Sequence, residues 1–303
     1  MRQSLLLFFG LSCTHLALGQ GNKYTSWAEA LSATEQVEWL DLDCPEIQEI
    51  PRHISRLPQL QSLYLTGCDL GVLPDGVEAV ESLTLLNVQD NRLGTLPPNK
   101  WQNLRVINLR NNQLEKFPTT LLGLPHLREV DLSGNTGLDI TQTLTSLAQV
   151  PRLDFLYLSD LSLTELPAQI KQLQNLEELH LTNNPQLDWS GAFQALAEVP
   201  HLTILVLTAN ELTDLPEATT EMSQLKGLVL DQNPDLVVET LIGRVQEMAG
   251  LKVLLLRENE LNALPSNLEG LGHLDLLDLS GNQFSAAEQD RIREALPETQ
   301  VVF

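Results

Sequence analysis

The sequence predicts an α/β solenoid, in which one parallel β-sheet is backed by turns and short helices. Three observations carry that expectation. A motif LxxLxLxxNxxL returns at a near-constant stride, an asparagine fills one slot of most copies, and the segments between copies alternate between two kinds. Self-similarity at 20 to 29 residues means a stack of identical units rather than a single closed core.

The clearest copy is Leu176 to Leu187, LEELHLTNNPQL. Others begin at Val37, Leu60, Leu83, Leu104, Leu127, Leu153, Leu202, Leu225, Leu251 and Leu274, at intervals of 21, 23 or 26 residues. Within LEELHL, Leu179 and Leu181 alternate with Glu178 and His180, as in a short strand with one face inward. One such strand cannot bury its leucines. Stacking copies about 4.8 Å apart produces a parallel sheet over a continuous leucine core. The asparagine follows where the chain turns out of the strand, and its amide can satisfy backbone groups left over there. The ladder runs Asn91, Asn112, Asn135, Asn184, Asn210, Asn233, Asn259 and Asn282, with Pro45, Cys68 and Leu161 in the slot of the other copies.

On these residues the chain resembles the leucine-rich repeat family, in about eleven copies over residues 37–284. The resemblance implies a curved right-handed coil with the sheet on its concave face and turns and short helices on its convex face. It also implies a recognition role rather than chemistry.

The elements follow in order. Residues 1–19 carry an early Arg2, an apolar run from Leu5 and Ala17-Leu18-Gly19, the pattern of a secretory signal peptide cleaved near Gly19. A lipoprotein anchored at Cys13 is the lesser alternative, because Gly10-Leu11-Ser12 makes a poor acylation signal. Residues 20–36 form an N-terminal helical cap: Ser26 and Glu29 have capping-box spacing, and Trp27 with Leu31 is an i, i+4 apolar pair. This cap resembles that of secreted bacterial relatives. The chain has no cysteine cluster near its start and no N-x-S/T acceptor, which points the same way.

Shorter repeats carry an LP or FP turn, as at Leu73-Pro74, Phe117-Pro118 and Leu215-Pro216, where proline favours extended and turn-like backbone. Longer ones carry three more residues and helical spacing: Ile140, Leu144, Leu147 and Val150; then Trp189, Phe193, Leu196 and Val199; then Val238, Ile242, Val245 and Met248. From Leu127 the two kinds alternate as a 49-residue pair. Residues 285–303 read as a C-terminal cap, a helix over 286–295 opened by Ser285 and Glu288 and a final strand from Gln300.

With 18 basic and 40 acidic residues the formal charge is −22, which disfavours nucleic acid and anionic lipid and favours a basic or amphipathic partner surface. No transmembrane segment is expected in the mature chain. Cys44 and Cys68 fall in neighbouring repeats, and the residues leave open a disulfide or two free thiols. No phosphate-cradling glycine loop, HExxH, GxSxG or paired Cys-x-x-Cys occurs, so no enzyme, metal or cofactor is expected. His126, His201 and His273 each precede a first motif leucine and read as solvated; His180 alone lies on a strand's outward face, with Asp131, Tyr157 and Glu178 as its only plausible chemical company.

In the architecture the resemblance implies, motif positions 3, 5, 7 and 8 form the concave face. The candidate partner-binding residues there are Trp39, Tyr64, Phe155, Tyr157 and His180, followed by an apolar stripe of Ile204, Val206, Val229, Val253, Leu255 and Leu276. Contiguous exposed apolar area rimmed by charge suits another protein. The plainer explanation is β-propensity of branched residues. The alternative function is a cell-envelope carbohydrate binder stacking sugars on Trp39, Tyr64 and Tyr157.

Overall fold

A computed structural model describes residues 22–42, 44 and 54–303. The leader, Cys13 and Pro45 lie outside the described residues. The chain divides into two compact units, Met1–Tyr157 and Leu158–Phe303.

In the first unit, strands β1 (Lys23–Tyr24), β2 (Trp39–Asp41), β3 (Ser62–Tyr64), β4 (Leu85–Asn87), β5 (Val106–Asn108), β6 (Glu129–Asp131) and β7 (Phe155–Tyr157) pair in parallel, in chain order. Helices α1 (Trp27–Ser32) and α2 (Ile140–Leu147) belong to this unit. The second unit repeats the arrangement with β8 (Glu178–His180), β9 (Ile204–Val206), β10 (Gly227–Val229), β11 (Val253–Leu255), β12 (Leu276–Asp278) and β13 (Gln300–Val302). Its helices are α3 (Trp189–Leu196), α4 (Val238–Glu247) and α5 (Ala286–Ala295). Register joins like positions of successive repeats, Leu40 to Leu63 to Leu86 and Leu205 to Leu228 to Leu254. Each unit is an α/β solenoid whose core is the stacked leucine columns; Leu60, Leu63 and Leu65 of one rung are all completely buried.

The two kinds of repeat back the sheet as their residues require. The longer ones form α2, α3 and α4, whose Leu144, Phe193 and Ile242 are buried while the leading Ile140, Trp189 and Val238 are half-buried. The LP repeats form short 3-10 turns, such as Ala168–Gln172 after Pro167 and Glu217–Glu221 after Pro216. Proline supplies the extended backbone that opens each turn.

The 21-residue repeat that begins at Leu83 has no such turn. Its Trp101 is fully buried instead, with the indole Nε1 donating to the carbonyl of Val77 one rung earlier at 2.9 Å. Trp101 stands three residues before a first leucine, where Val80 stands in the preceding repeat. Two residues are missing from this repeat, and the indole fills the volume that Val77 and Val80 share next door.

Ser26 caps α1, accepting from the N–H of Glu29 at 3.2 Å, and Ser285 caps α5, accepting from that of Glu288 at 3.3 Å. The second cap is not reciprocal. Glu288 turns its carboxylate to the N–H of Leu264 at 3.0 Å and to Arg291 at 2.6 Å, and the Arg291 bond holds that carboxyl below the ordinary glutamate range. Arg291 also donates to the carbonyl of Leu264 at 2.8 Å, so one ion pair ties α5 to the repeat before it. Strand β1 was not foreseen within the cap at 20–36; two residues carry no periodicity to read.

Cys44 and Cys68 are joined by a disulfide with Cα atoms 5.0 Å apart. The bridge links the first two repeats, where the slot residue Cys68 replaces a ladder asparagine. Its backbone N–H is met by Asn91 of the following rung at 3.0 Å.

From the Leu60 repeat onward, the residue before each ladder slot adopts a left-handed turn. Gly67, Asp90, Asn111, Gly134, Asp160, Asn183, Ala209, Gln232, Glu258 and Gly281 have φ between 52° and 73°. Gly134 has a second reason to be glycine, since a Cβ there would come within 1.9 Å of Asn111 Oδ1. Ala209 pays the left-handed penalty without the short polar side chain that eases it for asparagine. Ala209→Gly should therefore stabilise the protein by about 1 kcal/mol, read as a higher urea midpoint at unchanged slope. A lower midpoint would mean that glycine's extra freedom in the unfolded chain outweighs relief of the turn.

Candidate functional site

Strand alternation sends position 4 of every motif into the core, and Leu156, Leu179, Leu205, Leu228 and Leu254 are all completely buried. Positions 3 and 5 lie on the other, open face of the sheet. In the first unit Trp39, Tyr64 and Phe155 are half-buried there, while Tyr157 is buried. In the second, His180, Ile204 and Val206 are half-buried, while Val229, Val253, Leu255 and Leu276 are buried, Val253 at 1% and Leu255 at 2% exposure.

The expected apolar stripe is therefore not a continuous exposed patch, and Tyr157, Val229, Val253, Leu255 and Leu276 drop out of it as accessible residues. The cause is geometric. In-register strands place the same position of each neighbour about 4.8 Å away, so branched side chains cover one another laterally. Their apolar character serves the sheet's own packing. What stays accessible in the second unit is the β9 pair, Ile204 and Val206.

Polar groups on the open face are mutually engaged. In the first unit Lys23 lies 5.0 Å over the Trp39 ring and 2.8 Å from Asp41, and Trp39 and Tyr64 have ring centroids 5.5 Å apart. Burial, and then the Asp41 charge, push the Tyr64 hydroxyl above its ordinary pKa. In the second unit His180 Nε2 meets Glu178 Oε1 at 2.6 Å on the same strand. Register sets Glu178 beside Ile204 and His180 beside Val206, so a hydrogen-bonded polar pair borders the β9 apolar pair on one side.

Beyond the strand ends, Arg257 donates to Asp231 from its backbone N–H and from Nε, both at 2.8 Å. Burial raises the Asp231 pKa, and the bonds from Arg257 work against it; the Arg257 guanidinium is held more firmly charged, mainly by its bond to Asp231. Such a pair fixes position at a desolvation cost. Among the described residues no group of three or more His, Cys, Asp or Glu side chains is placed to hold a metal ion, and no helix is long and apolar enough to cross a membrane.

Beneath this face lies the asparagine ladder. Asn233 Oδ1 accepts from the N–H groups of Asn210 at 2.8 Å and Leu212 at 3.1 Å. Its Nδ2 donates to the carbonyls of Leu207 at 3.1 Å, Leu230 at 3.1 Å and Asp231 at 3.0 Å. Asn184 and Asn91 make the same set of contacts one rung back and within their own turn. Each side chain thus sews its own turn to the preceding repeat.

The family model described as "Leucine rich repeat" matches residues 80–136, two complete repeats and the start of a third, with the ladder residues Asn91, Asn112 and Asn135. The chain carries leucine-rich repeats. It is 34% identical over 124 residues to Podocan-like protein 1 of Mus musculus, covering 39% of this chain and 22% of that one. It is 32% identical over 165 residues to the Transforming growth factor beta activator LRRC33 of Danio rerio, covering 45% and 22%. The matched segments thus span about a fifth of the length of these relatives.

Among solved structures the chain is similar to an internalin (inlF) from Listeria monocytogenes, at 21% identity and a TM-score of 0.52, covering 82% of this chain and 75% of that one. That likeness is one of fold. With animal relatives in sequence and a bacterial neighbour in structure, the leucine-rich repeat assignment holds without assigning a kingdom.

Trp101 is a core residue that the motif alone does not mark. A signal is present: only in the repeat shortened to 21 residues does a tryptophan stand three residues before the first leucine of the next copy. Motif position 8, expected on the concave face, is the left-handed turn in each repeat from Leu60 onward.

Proposed function

We propose that this chain is an exported, non-catalytic recognition protein that docks another protein on the open face of its sheet. The observation that carries the reading is the β9 pair. Ile204 and Val206 stay half-exposed on a strand bordered by the Glu178–His180 pair, in a sheet whose other branched residues at those positions are mostly covered. An apolar centre with a polar rim is where binding energy concentrates in protein interfaces. The net charge of −22 favours a basic or amphipathic partner.

Export is supported by the leader pattern at 1–19 and by the Cys44–Cys68 bridge, which persists in oxidising compartments. The mass of the N-terminus on exported protein tests it, with cleavage near Gly19 expected and an acylated Cys13 the competing result. A sugar-stacking role for Trp39 finds less support, because Lys23 lies over the ring and Tyr64 packs beside it.

Ile204→Ser with Val206→Ser should abolish partner capture by the immobilised chain while lowering stability by only about 1–2 kcal/mol, since both side chains are already half in water. Tyr157→Ser is unsuited to the same experiment, because that side chain is buried and its loss would leave a cavity. Recovery of the same partners in the same amounts by the double variant would show that β9 is not the docking strand.

A further inference from the structure

A second surface lies in the first unit, at the end of the strands where the chain enters them. Two adjoining cavities of about 260 and 310 Å³ share Arg105 and His126 and run on as one shallow groove. Every residue lining it stands immediately before or after the first leucine of a repeat. The flanked leucines are Leu60, Leu83, Leu104, Leu127 and Leu153, all buried. The groove is thus a product of the stack itself, one pair of side chains per rung across five rungs.

Its two halves differ chemically. Gln59, Gln61, Ser82 and Thr84 line one. Arg105, His126, Arg128 and Arg152 line the other, with Asp154 as the single carboxylate. Asp154 is committed to Arg128, whose Nε it bonds. Among the described residues, the exposed Arg105 and Arg152 have no ion-pair partner. In a chain with 40 acidic and 18 basic residues, this is a local reversal of sign. Arg105 and Arg128 occupy the same motif position on adjacent strands, where like charges repel. Asp154 offsets Arg128, which leaves Arg105 and Arg152 as the charges that an anion laid along the groove would neutralise.

We propose that this groove binds an acidic polysaccharide, its carboxylates or sulfates meeting the arginines and its hydroxyls meeting the polar half. Arginine's planar fork of donors suits both anions. Ser82 already donates its hydroxyl proton to the carbonyl of Leu60 at 2.6 Å, and Thr84 donates to that of Gln61 at 3.1 Å. Their oxygens are left as acceptors, the complement of a sugar hydroxyl. The Gln59 and Gln61 amides supply both donors and acceptors. The lining contains no aliphatic residue and no phenylalanine, tyrosine or tryptophan, so a peptide would find no apolar anchor. This site shares no residue with the β9 face and stands or falls separately from it.

The test is calorimetric titration of the full chain at low salt with polygalacturonate, heparin, neutral dextran and poly-L-glutamate. Wild type should bind one or both acidic polysaccharides and not dextran, more weakly as salt is raised. Arg105→Gln with Arg152→Gln should raise Kd by about tenfold or more at an unchanged melting temperature. Arg56→Gln with Lys116→Gln removes the same charge from exposed sites elsewhere in this unit and should leave Kd alone. The proposal is overturned if wild type binds neither acidic polysaccharide, or if the two double variants weaken binding equally. Tighter binding of poly-L-glutamate would reassign the groove to acidic peptides.

Discussion

Asn233→Ala should lower the free energy of unfolding by about 4 kcal/mol, because several buried polar groups lose their partners at once. Asn233 is wholly buried, and its amide serves two N–H groups and three carbonyls in two rungs. Each group stranded out of reach of water costs about 1–3 kcal/mol, and partial relaxation keeps the total below the full sum. Asn282 makes comparable bonds, to the carbonyls of Leu256 and Leu279 at 2.7 and 2.8 Å, but is only half-buried. Asn282→Ala should therefore cost only about 1–2 kcal/mol, since water can take over part of its role. Urea unfolding of the two variants in parallel decides the matter. Equal losses would show that backbone pairing, not the side-chain ladder, carries the turn.

Trp101→Ala should cost about 3–5 kcal/mol, the range for deleting a large buried aromatic. The indole is fully enclosed, and its N–H is bonded to the carbonyl of Val77. Its repeat is two residues shorter than the 23-residue copies, so this rung has less chain with which to refill the space. Trp101→Leu should recover part of the loss by restoring volume without the hydrogen bond. Trp189→Ala is the internal comparison, as that side chain is half-buried at the start of α3 and its removal should cost distinctly less. A Trp101→Ala loss no larger than that of Trp189→Ala would refute the gap-filling role.

Much of this was legible in the chain itself. The alternation in LEELHL and its relatives located every strand from β2 to β12, and Ser26 and Ser285 marked the starts of α1 and α5 to the residue. Those features depend on a residue and its neighbours within one turn or one strand. Glu288 shows the limit. Its spacing from Ser285 signalled a reciprocal cap, yet the carboxylate bonds Leu264, 24 residues earlier, and Arg291. Local spacing cannot see a competitor that arrives from the neighbouring rung.

The open face shows the same division. Sequence alone determined which residues alternate outward, and so placed Val253 and Ile204 on one face. Only the tertiary structure decided that Val253 is covered and Ile204 is not, and that Cys44 reaches Cys68. Periodicity in a solenoid is a property of one rung, written contiguously in the chain. Exposure, charge clustering and hydrogen-bond partnership are properties of adjacent rungs, whose residues lie 21 to 26 positions apart and meet only once the stack has formed.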